Sequence, residues 1–368
     1  MPSAVPQLYQ YSHVPETQED LDWAELATVD LSKYGTPEGN AELSKTLLNA
    51  SRSKGFFYVT NFGIPQAEVD KQLALGQKFY ELPLEEKLKY EPNLSNGEYN
   101  GYRPAGRRLL SGGIKDKTEV WNMATRDGSI SQPLPDLLAQ RRTEIEAFAK
   151  DLHDKVLTPL NHLIAIALEL PEDYFVNVHR WETDDESHLR YMKYTHFQSD
   201  EIEKLEKLGD EVWVRGHTDL GSLTLLFRQP VAALQIQDPE SGLWKWAKPL
   251  DGSLTVNTCD ALSFLTGGYI KSTVHRVAIP PKDQRHVDRL GLLYFVRPQN
   301  DLVLRTVDSP LLRREGYTQN EFEAGGHRIP NMGEFTKLKQ TWQQQKGKSW
   351  QDSEGQEILP GFTGKSFA

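Results

Sequence analysis

The 368-residue sequence has a single cysteine, no excess of basic charge and no long apolar run. With Cys259 alone, an intramolecular disulfide and a thiolate-cluster metal site are both excluded, and a reducing compartment is favoured. Lysine and arginine number 42 against 52 acidic residues, so neither nucleic acid nor an anionic membrane is an expected partner. No run of 18 apolar residues and no secretory leader is present, which predicts a cytoplasmic protein without a membrane segment.

The pattern along the chain predicts four regions. Residues 1–24 are polar and contain proline, as expected of an arm over the surface. Residues 25–173 read as an N-terminal α/β region that includes a long helix over 134–170. Residues 174–300 form a predicted β-rich core, and residues 301–368 form a C-terminal helix and tail.

The predicted core carries short β-rich runs separated by turns. Runs spaced by roughly 8 to 15 residues are typical of a sandwich, jelly roll or barrel, so the predicted fold class is mainly β with flanking helices. The runs lie at 189–194, 222–227, 234–237, 253–257, 263–265, 273–277 and 289–296.

One motif in this core indicates metal chemistry. His217 and Asp219 are two residues apart, so in an extended strand their side chains project from the same face. His275 follows after 55 intervening residues, enough for several strands to bring it back beside the pair. Two imidazoles and one carboxylate that leave open positions suit non-heme Fe(II) and oxygen activation. The same ligands would also fit a zinc hydrolase with an open position for water.

Chance alone yields one or two such His-x-Asp pairs in a sequence of this composition. The pair His286 and Asp288 is a second example, but it lies in a charged stretch after two prolines and reads as a hairpin loop. His217 and Asp219 instead lie between a glycine and a strongly β-rich run, which favours a site.

An arginine follows at the head of the last β-rich run. Arg289 has apolar neighbours, and an unpaired guanidinium is costly to bury, so it needs an anionic partner. A planar bidentate donor suits a carboxylate, either of a ligand or of a structural salt bridge. Arg285 is a weaker candidate for the same role.

The order Tyr194, His217-x-Asp219, His275, Arg289 resembles the Fe(II)/2-oxoglutarate-dependent dioxygenases, in particular the branch similar to isopenicillin N synthase. The resemblance extends over residues 27–300 and includes the segments 216–226, 234–236, 256–260 and 271–277, with 29–32, 55–59, 63–65 and 79–83 in the N-terminal half.

This resemblance implies a double-stranded β-helix (jelly-roll) core with a helical N-terminal half. It implies that His217, Asp219 and His275 bind Fe(II), that Arg289 pairs with the distal carboxylate of 2-oxoglutarate and that Tyr194 hydrogen-bonds the same region. The implied reaction uses O2 and couples oxidative decarboxylation of 2-oxoglutarate to C–H oxidation of a small organic substrate, with ascorbate as a stimulant. Hydroxylation is the default outcome, and desaturation or ring rearrangement are variants.

Two positions depart from the family pattern. Met192 stands where asparagine is expected, and Gly291 stands where a serine would donate a hydroxyl to the co-substrate. The missing hydroxyl costs about 1–2 kcal/mol unless water substitutes. These departures leave open an iron-dependent oxidase of the same fold that does not use 2-oxoglutarate. A non-catalytic binding protein on this fold is the remaining alternative.

Substrate contacts are predicted from aromatic, sulfur and cationic residues near the expected mouth, and an aromatic, partly cationic lining would suit a substrate from secondary metabolism. The candidates are Tyr102, Arg103, Trp121, Met123 and Met192. Core packing is the alternative for Trp121 and Met123, and a solvated charge is the alternative for Arg103. Phe362 and Phe367 would join them only if the tail folds over the site.

Overall fold

The computed structural model describes residues 7–93, 98–126, 132–345, 357–363 and 366–367. Its helices lie mainly in the N-terminal half and near the C-terminus. They are α1 (Pro37–Ser53), α2 (Gln66–Tyr80), α3 (Leu84–Leu88), α4 (Asp136–Ala139), α5 (Arg142–Leu152), α6 (Thr158–Ala167), α7 (Tyr174–Asn177), α8 (Ser199–Leu208), α9 (Asp260–Leu265), α10 (Pro310–Glu315), α11 (Glu321–Ala324) and α12 (Met332–Gln345). None of these helices is both long and apolar enough to cross a membrane.

The strands of the described residues form two large sheets and one hairpin. They are β1 (Ala27–Asp30), β2 (Phe56–Thr60), β3 (Gly101–Arg103), β4 (Thr118–Ala124), β5 (His188–Tyr194), β6 (Val212–His217), β7 (Leu223–Phe227), β8 (Leu234–Gln237), β9 (Trp244–Trp246), β10 (Ser253–Thr258), β11 (His275–Ala278), β12 (Arg289–Val296), β13 (Glu357–Leu359), β14 (Phe362–Thr363) and β15 (Ser366–Phe367). The eight-stranded sheet has the order β1-β2-β10-β7-β12-β5-β4-β3, and the five-stranded sheet has the order β15-β6-β11-β8-β9.

The two sheets face each other and enclose the site. Tyr194 of the larger sheet lies 5.4 Å from Trp213 of the smaller one, and Phe56 lies 5.4 Å from His275, both measured between ring centroids. The strands pair antiparallel except β1 with β2. This is the predicted jelly roll, so the fold class read from the sequence is confirmed.

Helices cover the outer face of the larger sheet. The Tyr191 hydroxyl of β5 donates to Gln72 Oε1 of α2 at 2.7 Å, and Phe79 of α2 packs 4.8 Å from Trp121 of β4. Since both faces of this sheet are buried, its strands carry apolar residues on both sides and show little alternation. The inner face alone borders the candidate site.

Two sequence-based assignments of secondary structure need correction. The helix expected over 134–170 is interrupted: α4 is separate, and a π-helical turn over His153–Leu157 joins α5 to α6. Pro159, which has no N–H to donate, follows that turn and accounts for the irregular hydrogen bonding. The run 263–265 belongs to helix α9 rather than to a strand, because a short apolar run fits a buried helix equally well.

The two termini both pack against the sandwich. In the N-terminal arm, Thr17 Oγ1 donates to Asp283 Oδ1 at 2.7 Å, and the Pro15 carbonyl accepts from Gln284 Nε2 at 2.8 Å. Near the C-terminus, Phe362 is buried against Phe264, 5.1 Å between centroids, so it anchors the tail in the core and does not face the site. The side chain of Phe367 lies outside the described part of the chain.

Candidate active site

The motif residues meet at the ends of two paired strands. His217 is the last residue of β6, His275 is the first residue of β11, and the antiparallel register places them directly opposite each other. Their ring centroids are 4.5 Å apart. Asp219 lies just beyond the end of β6. The potential ligand atoms of the three residues all lie within 4.8 Å of one another, and no other such group was found among the described residues.

The hydrogen bonds of the two imidazoles leave their Nε2 atoms free for a metal. His217 Nδ1 bonds to the Arg215 carbonyl at 2.9 Å, and His275 Nδ1 bonds to the Thr273 carbonyl at 3.2 Å. Since a carbonyl only accepts, each Nδ1 carries the proton and each Nε2 has a lone pair. The Nε2 atoms lie 3.7 and 3.6 Å from the Asp219 oxygens, too far for hydrogen bonds.

Asp219 is held as a carboxylate by its neighbours. Its Oδ2 accepts from Thr224 Oγ1 at 2.8 Å and from Asn257 Nδ2 at 2.9 Å. Burial alone would raise the pKa of Asp219, but the His275 and His217 rings and these two donors outweigh it and hold the pKa well below its ordinary value. Its Oδ1, on the side of His217, stays open to an ion.

Burial and the facing His275 ring lower the pKa of His217 to about 3. The imidazole is therefore neutral at physiological pH, the form that binds a metal. The His217 side chain is 30% exposed, whereas those of Asp219 and His275 are 9% exposed. The ligand set consequently opens to solvent on the His217 side. Two neutral imidazoles, one carboxylate and an open side fit Fe(II).

A buried lysine fixes the backbone between the two motif residues. Lys339 Nζ of α12 donates to the Thr218 carbonyl at 2.9 Å and to Thr218 Oγ1 at 3.2 Å, and it forms an ion pair with Asp260. Asp260 also accepts from Ser272 Oγ at 2.6 Å, and its N–H donates to the Asp219 carbonyl at 3.0 Å. The C-terminal helix thus braces the turn that presents His217 and Asp219, an arrangement that the sequence analysis missed.

Arg289 and Tyr194 lie together deeper in the sandwich. They are register partners of β12 and β5, and the Arg289 guanidinium carbon lies 5.0 Å from the centroid of the Tyr194 ring. Arg289 is 4% exposed, its Nε has no hydrogen-bond partner, and none of the described carboxylates forms an ion pair with it. Burial raises the pKa of Tyr194, so its hydroxyl keeps a proton that it can donate. A buried guanidinium beside a protonated phenol has the chemistry to bind an anion.

The two departures from the family pattern face each other beside this pair. Gly291 and Met192 are register partners, and the Tyr194 hydroxyl lies 3.2 Å from Met192 Sδ. A Cβ added at Gly291 would lie 3.4 Å from both Met192 Cβ and Leu293 Cδ1, at the short end of van der Waals contact. A serine would therefore fit there with slight adjustment.

The competing candidates lie elsewhere. Arg285 pairs with Glu206 at 2.7 Å on the surface, away from the metal ligands. Asp288 accepts from the backbone N–H of His196 at 3.0 Å and lies 3.3 Å from Lys193 Nζ. Neither belongs to the ligand group.

The five predicted substrate contacts divide between the two faces of the sheet. Arg103 and Met192 lie on the inner face, whereas Tyr102, Trp121 and Met123 are fully buried on the outer face in the main core. Because successive strand residues point to opposite faces, Tyr102 turns away where Arg103 turns inward. The expectation that Tyr102, Trp121 and Met123 touch substrate is therefore corrected: they are core residues.

Four inner-face residues near Arg103 were not anticipated from the sequence. They are Tyr99, Asn122, Arg190 and Phe295. Arg190 has the same parity as Met192 and Tyr194 in β5, so the alternation of that strand was the signal that could have found it.

Comparison with known proteins gives two family models and a set of relatives. The non-haem dioxygenase in morphine synthesis N-terminal model matches residues 26–141, and the 2OG-Fe(II) oxygenase superfamily model matches residues 185–298. A UPF0676 protein of Schizosaccharomyces pombe is 30% identical, with 85% of this chain and 92% of that protein covered. The 2-oxoglutarate-dependent dioxygenase frbH of Dothideomycetidae sp. is 29% identical, with 83% and 92% covered.

Solved structures share the fold. A full-length Neurospora crassa protein in complex with alpha-KG superimposes with a TM-score of 0.74 at 23% identity, covering 91% of this chain and 100% of that one. The dioxygenase for auxin oxidation in rice gives a TM-score of 0.64 at 21% identity, covering 86% and 95%.

Proposed function

The chain belongs to the 2OG-Fe(II) oxygenase superfamily, and we propose that His217, Asp219 and His275 are the residues with which it holds Fe(II). It is an Fe(II)/2-oxoglutarate-dependent dioxygenase, an oxidoreductase. The observation that supports this ligand set is the convergence of two Nε2 atoms and Asp219 Oδ1, with both imidazole tautomers set by backbone carbonyls. When bound there, Fe(II) supplies the O2 activation that couples oxidative decarboxylation of 2-oxoglutarate to oxidation of a substrate C–H bond.

Arg289 and Tyr194 hold the distal carboxylate of 2-oxoglutarate in this proposal. The guanidinium offers a buried donor without a protein acceptor, and a small cavity borders it, lined in part by Leu226, Leu234 and Thr255. The buried arginine and the protonated phenol position the co-substrate and exclude water from its charged end. The alternative of an iron oxidase without 2-oxoglutarate rested on Met192 and Gly291, and it leaves the unpaired Arg289 unexplained.

The substrate in this proposal is a small organic molecule of secondary metabolism, and hydroxylation is the default outcome. The Neurospora crassa neighbour was also solved with alpha-KG and thymine, a ligand of small size. The inner face beside the metal ligands carries both apolar and cationic side chains, which suits such a molecule. We also propose a cytoplasmic location and stimulation by ascorbate.

The decisive experiment compares two His-x-Asp pairs of the same chain. The purified enzyme is reconstituted anaerobically with Fe(II), iron binding is titrated, and succinate and CO2 release from 2-oxoglutarate are measured on admission of air. Asp219→Ala should lose iron binding and succinate formation, because one of three ligands is removed. Asp288→Ala, the same change in the His286-x-Asp288 pair, should keep both.

Equal iron binding by Asp219→Ala and the wild type would contradict the ligand assignment. Reconstitution with Zn²⁺ in place of Fe(II) separates the hydrolase alternative: succinate formation should disappear with zinc, because this ion has no redox chemistry. If the zinc-loaded enzyme hydrolysed test esters or amides, the hydrolase alternative would be favoured instead.

A further inference from the structure

Three arginines surround one tyrosine on the inner face, outside the proposed metal and co-substrate residues. The guanidinium carbons of Arg103, Arg297 and Arg190 lie 5.0, 5.4 and 5.7 Å from the centroid of the Tyr99 ring. Arg190 Nη2 donates to the Tyr99 hydroxyl at 2.5 Å. We call these four residues the arginine cluster.

Among the described residues, only one arginine of the cluster has an acidic partner. Arg297 forms an ion pair with Glu186 at 2.8 Å. In the described residues Arg190 bonds to the Tyr99 hydroxyl and, at 2.7 Å, to Asn122 Oδ1, and neither acceptor is a carboxylate. Arg103 Nε is buried without a hydrogen-bond partner. Two guanidinium groups are thus half-buried without a carboxylate, a costly arrangement unless an anion binds there.

The positive charge of the cluster lowers the pKa values of neighbouring titratable groups. Burial alone would raise the pKa of Tyr99, but Arg190, Arg103 and Arg297 lower it to about 7. Burial, followed by Arg297 and Arg190, holds the pKa of His188 well below its ordinary value, so this ring adds no charge.

The arginine cluster adjoins the metal ligands. The Arg190 guanidinium lies 4.2 Å from the centroid of the Phe295 ring. Phe295 is the register partner of Thr224, whose hydroxyl donates to Asp219. A molecule held by the cluster would therefore lie near the residues that hold Asp219.

The arginine cluster is distinct from the Arg289 site. Arg190 is the register partner of Leu293, which is four residues from Arg289 in β12, or about 13 Å along a strand. A five-carbon diacid such as 2-oxoglutarate spans only about 5 Å between its end carbons. One co-substrate molecule cannot occupy both sites, so the cluster is available to a second anion.

We propose that Arg190 and Arg103 bind a carboxylate of the substrate, so that this dioxygenase oxidises a small organic acid. The inference rests on the proposed function and adds the substrate class to it. Arg103 of β3 and Arg190 of β5 lie on either side of β4 on the same face of the sheet, and two planar donors match the two oxygens of a carboxylate. Arg297 retains its ion pair with Glu186 and adds positive charge nearby. Tyr99 contacts the guanidinium groups in the absence of substrate, and the acid displaces it.

The test uses anaerobic holoenzyme loaded with Fe(II) and 2-oxoglutarate. The probes are benzoate and phenylacetate, each paired with its neutral amide, benzamide and phenylacetamide. Binding is read by calorimetry and by tyrosinate absorbance near neutral pH, and Tyr99→Phe identifies the Tyr99 part of that signal. Because an acid competes with the phenolate for the same cations, it should lower the tyrosinate absorbance, and the amide should not.

The wild type should bind each acid at least about tenfold more tightly than its amide, the preference expected when charge-assisted hydrogen bonds are made. Arg190→Gln and Arg103→Gln should reduce the preference to about twofold or less, and Arg190→Lys should restore part of it. Arg285→Gln, the same change on the surface, is the matched control and should leave the preference intact. Circular dichroism verifies that each variant is folded.

The outcomes separate this inference from the proposed function. Loss of 2-oxoglutarate binding in Arg190→Gln would mean that Arg190 holds the co-substrate, which overturns the inference and leaves a dioxygenase. Equal binding of acid and amide, or no saturable response to either acid at millimolar concentration, overturns it as well. If Asp219→Ala kept iron and turnover while Arg190→Gln lost the acid preference, the proposed iron ligands would be wrong and the anion site would remain.

Discussion

Two ends of the sandwich interior differ in how their polar groups are hydrogen-bonded: the iron end, formed by His217, Asp219 and His275, and the arginine end, formed by Arg289 and Tyr194. At the iron end, both Nδ1 atoms bond to backbone carbonyls, and the inner oxygen of Asp219 accepts two hydrogen bonds. At the arginine end, Arg289 keeps a buried Nε without a partner, and so does Arg103 at the separate arginine cluster.

This difference in hydrogen bonding distinguishes the site of a permanently bound ion from the sites of molecules that exchange during turnover. Ligands of a resident ion are oriented in advance, and only the atoms that face the ion stay free. Sites for exchanged molecules instead keep donors that the protein does not satisfy, although each buried orphan costs about 1–3 kcal/mol. The unpaired Nε atoms of Arg289 and Arg103 are therefore consistent with the proposed co-substrate and substrate sites, and the paired Nδ1 atoms and carboxylate oxygen with the proposed iron site.

The largest expected effect comes from removing the brace of the iron end. Lys339→Met leaves Asp260 as an unpaired buried charge, which should lower the free energy of unfolding by about 3–5 kcal/mol. Because Lys339 holds the Thr218 backbone, Fe(II) affinity should also fall by about 10- to 100-fold. Denaturant unfolding of the metal-free protein and an iron titration measure the two effects.

A double variant separates the two roles of this lysine. Lys339→Met combined with Asp260→Asn removes the unpaired charge, so stability should recover in large part while iron affinity stays low. A folded Lys339→Met protein with wild-type iron affinity would show that the brace does not position the ligands.

The next effect is at the arginine end. Arg289→Gln should weaken 2-oxoglutarate binding by about 10- to 100-fold, since charge-assisted hydrogen bonds contribute about 1.5–3 kcal/mol, and should leave Fe(II) affinity unchanged. Calorimetric titration of both ligands into Arg289→Gln and Arg285→Gln measures this. If Arg289→Gln lowered Fe(II) affinity as much as 2-oxoglutarate affinity, the two ends would not be separate binding sites.

The smallest effect is a gain. Gly291→Ser supplies a hydroxyl beside Arg289 and should tighten 2-oxoglutarate binding by about fivefold, or roughly 1 kcal/mol, with Gly291→Ala as the control for the added Cβ. Equal affinities of the serine and alanine variants would indicate that water already supplies the missing donor.

The sequence was informative where one residue determined the chemistry of its surroundings. His217 and Asp219 share a strand face by their spacing alone, and the structure brings His275 to them by pairing β11 with β6. Arg289 was singled out because its run is apolar. Their roles as ligands remain predictions, whereas the family and the jelly roll are established.

The sequence was uninformative where the face of a strand had to be chosen. Trp121 and Met123 lie in β4, whose outer face is covered by helices, so apolar residues on both sides hide the alternation. Of the arginine cluster only Arg103 was anticipated, because the cluster joins β3 and β5 to a loop and to the residue after β12. Lys339 was missed because nothing in the pattern of a C-terminal helix indicates that it reaches Asp260.

The single cysteine lies behind the iron end. Cys259 is fully buried, and its sulfur lies 3.5 Å from both Thr224 Oγ1 and Asn257 Nδ2, the two donors to Asp219. Burial also raises the pKa of its thiol well above the ordinary value, so a thiol reagent can label it only when the sheet opens. The rate at which a thiol reagent labels Cys259 therefore measures local opening behind the carboxylate ligand, without any engineered reporter. This rate should fall when Fe(II) binds.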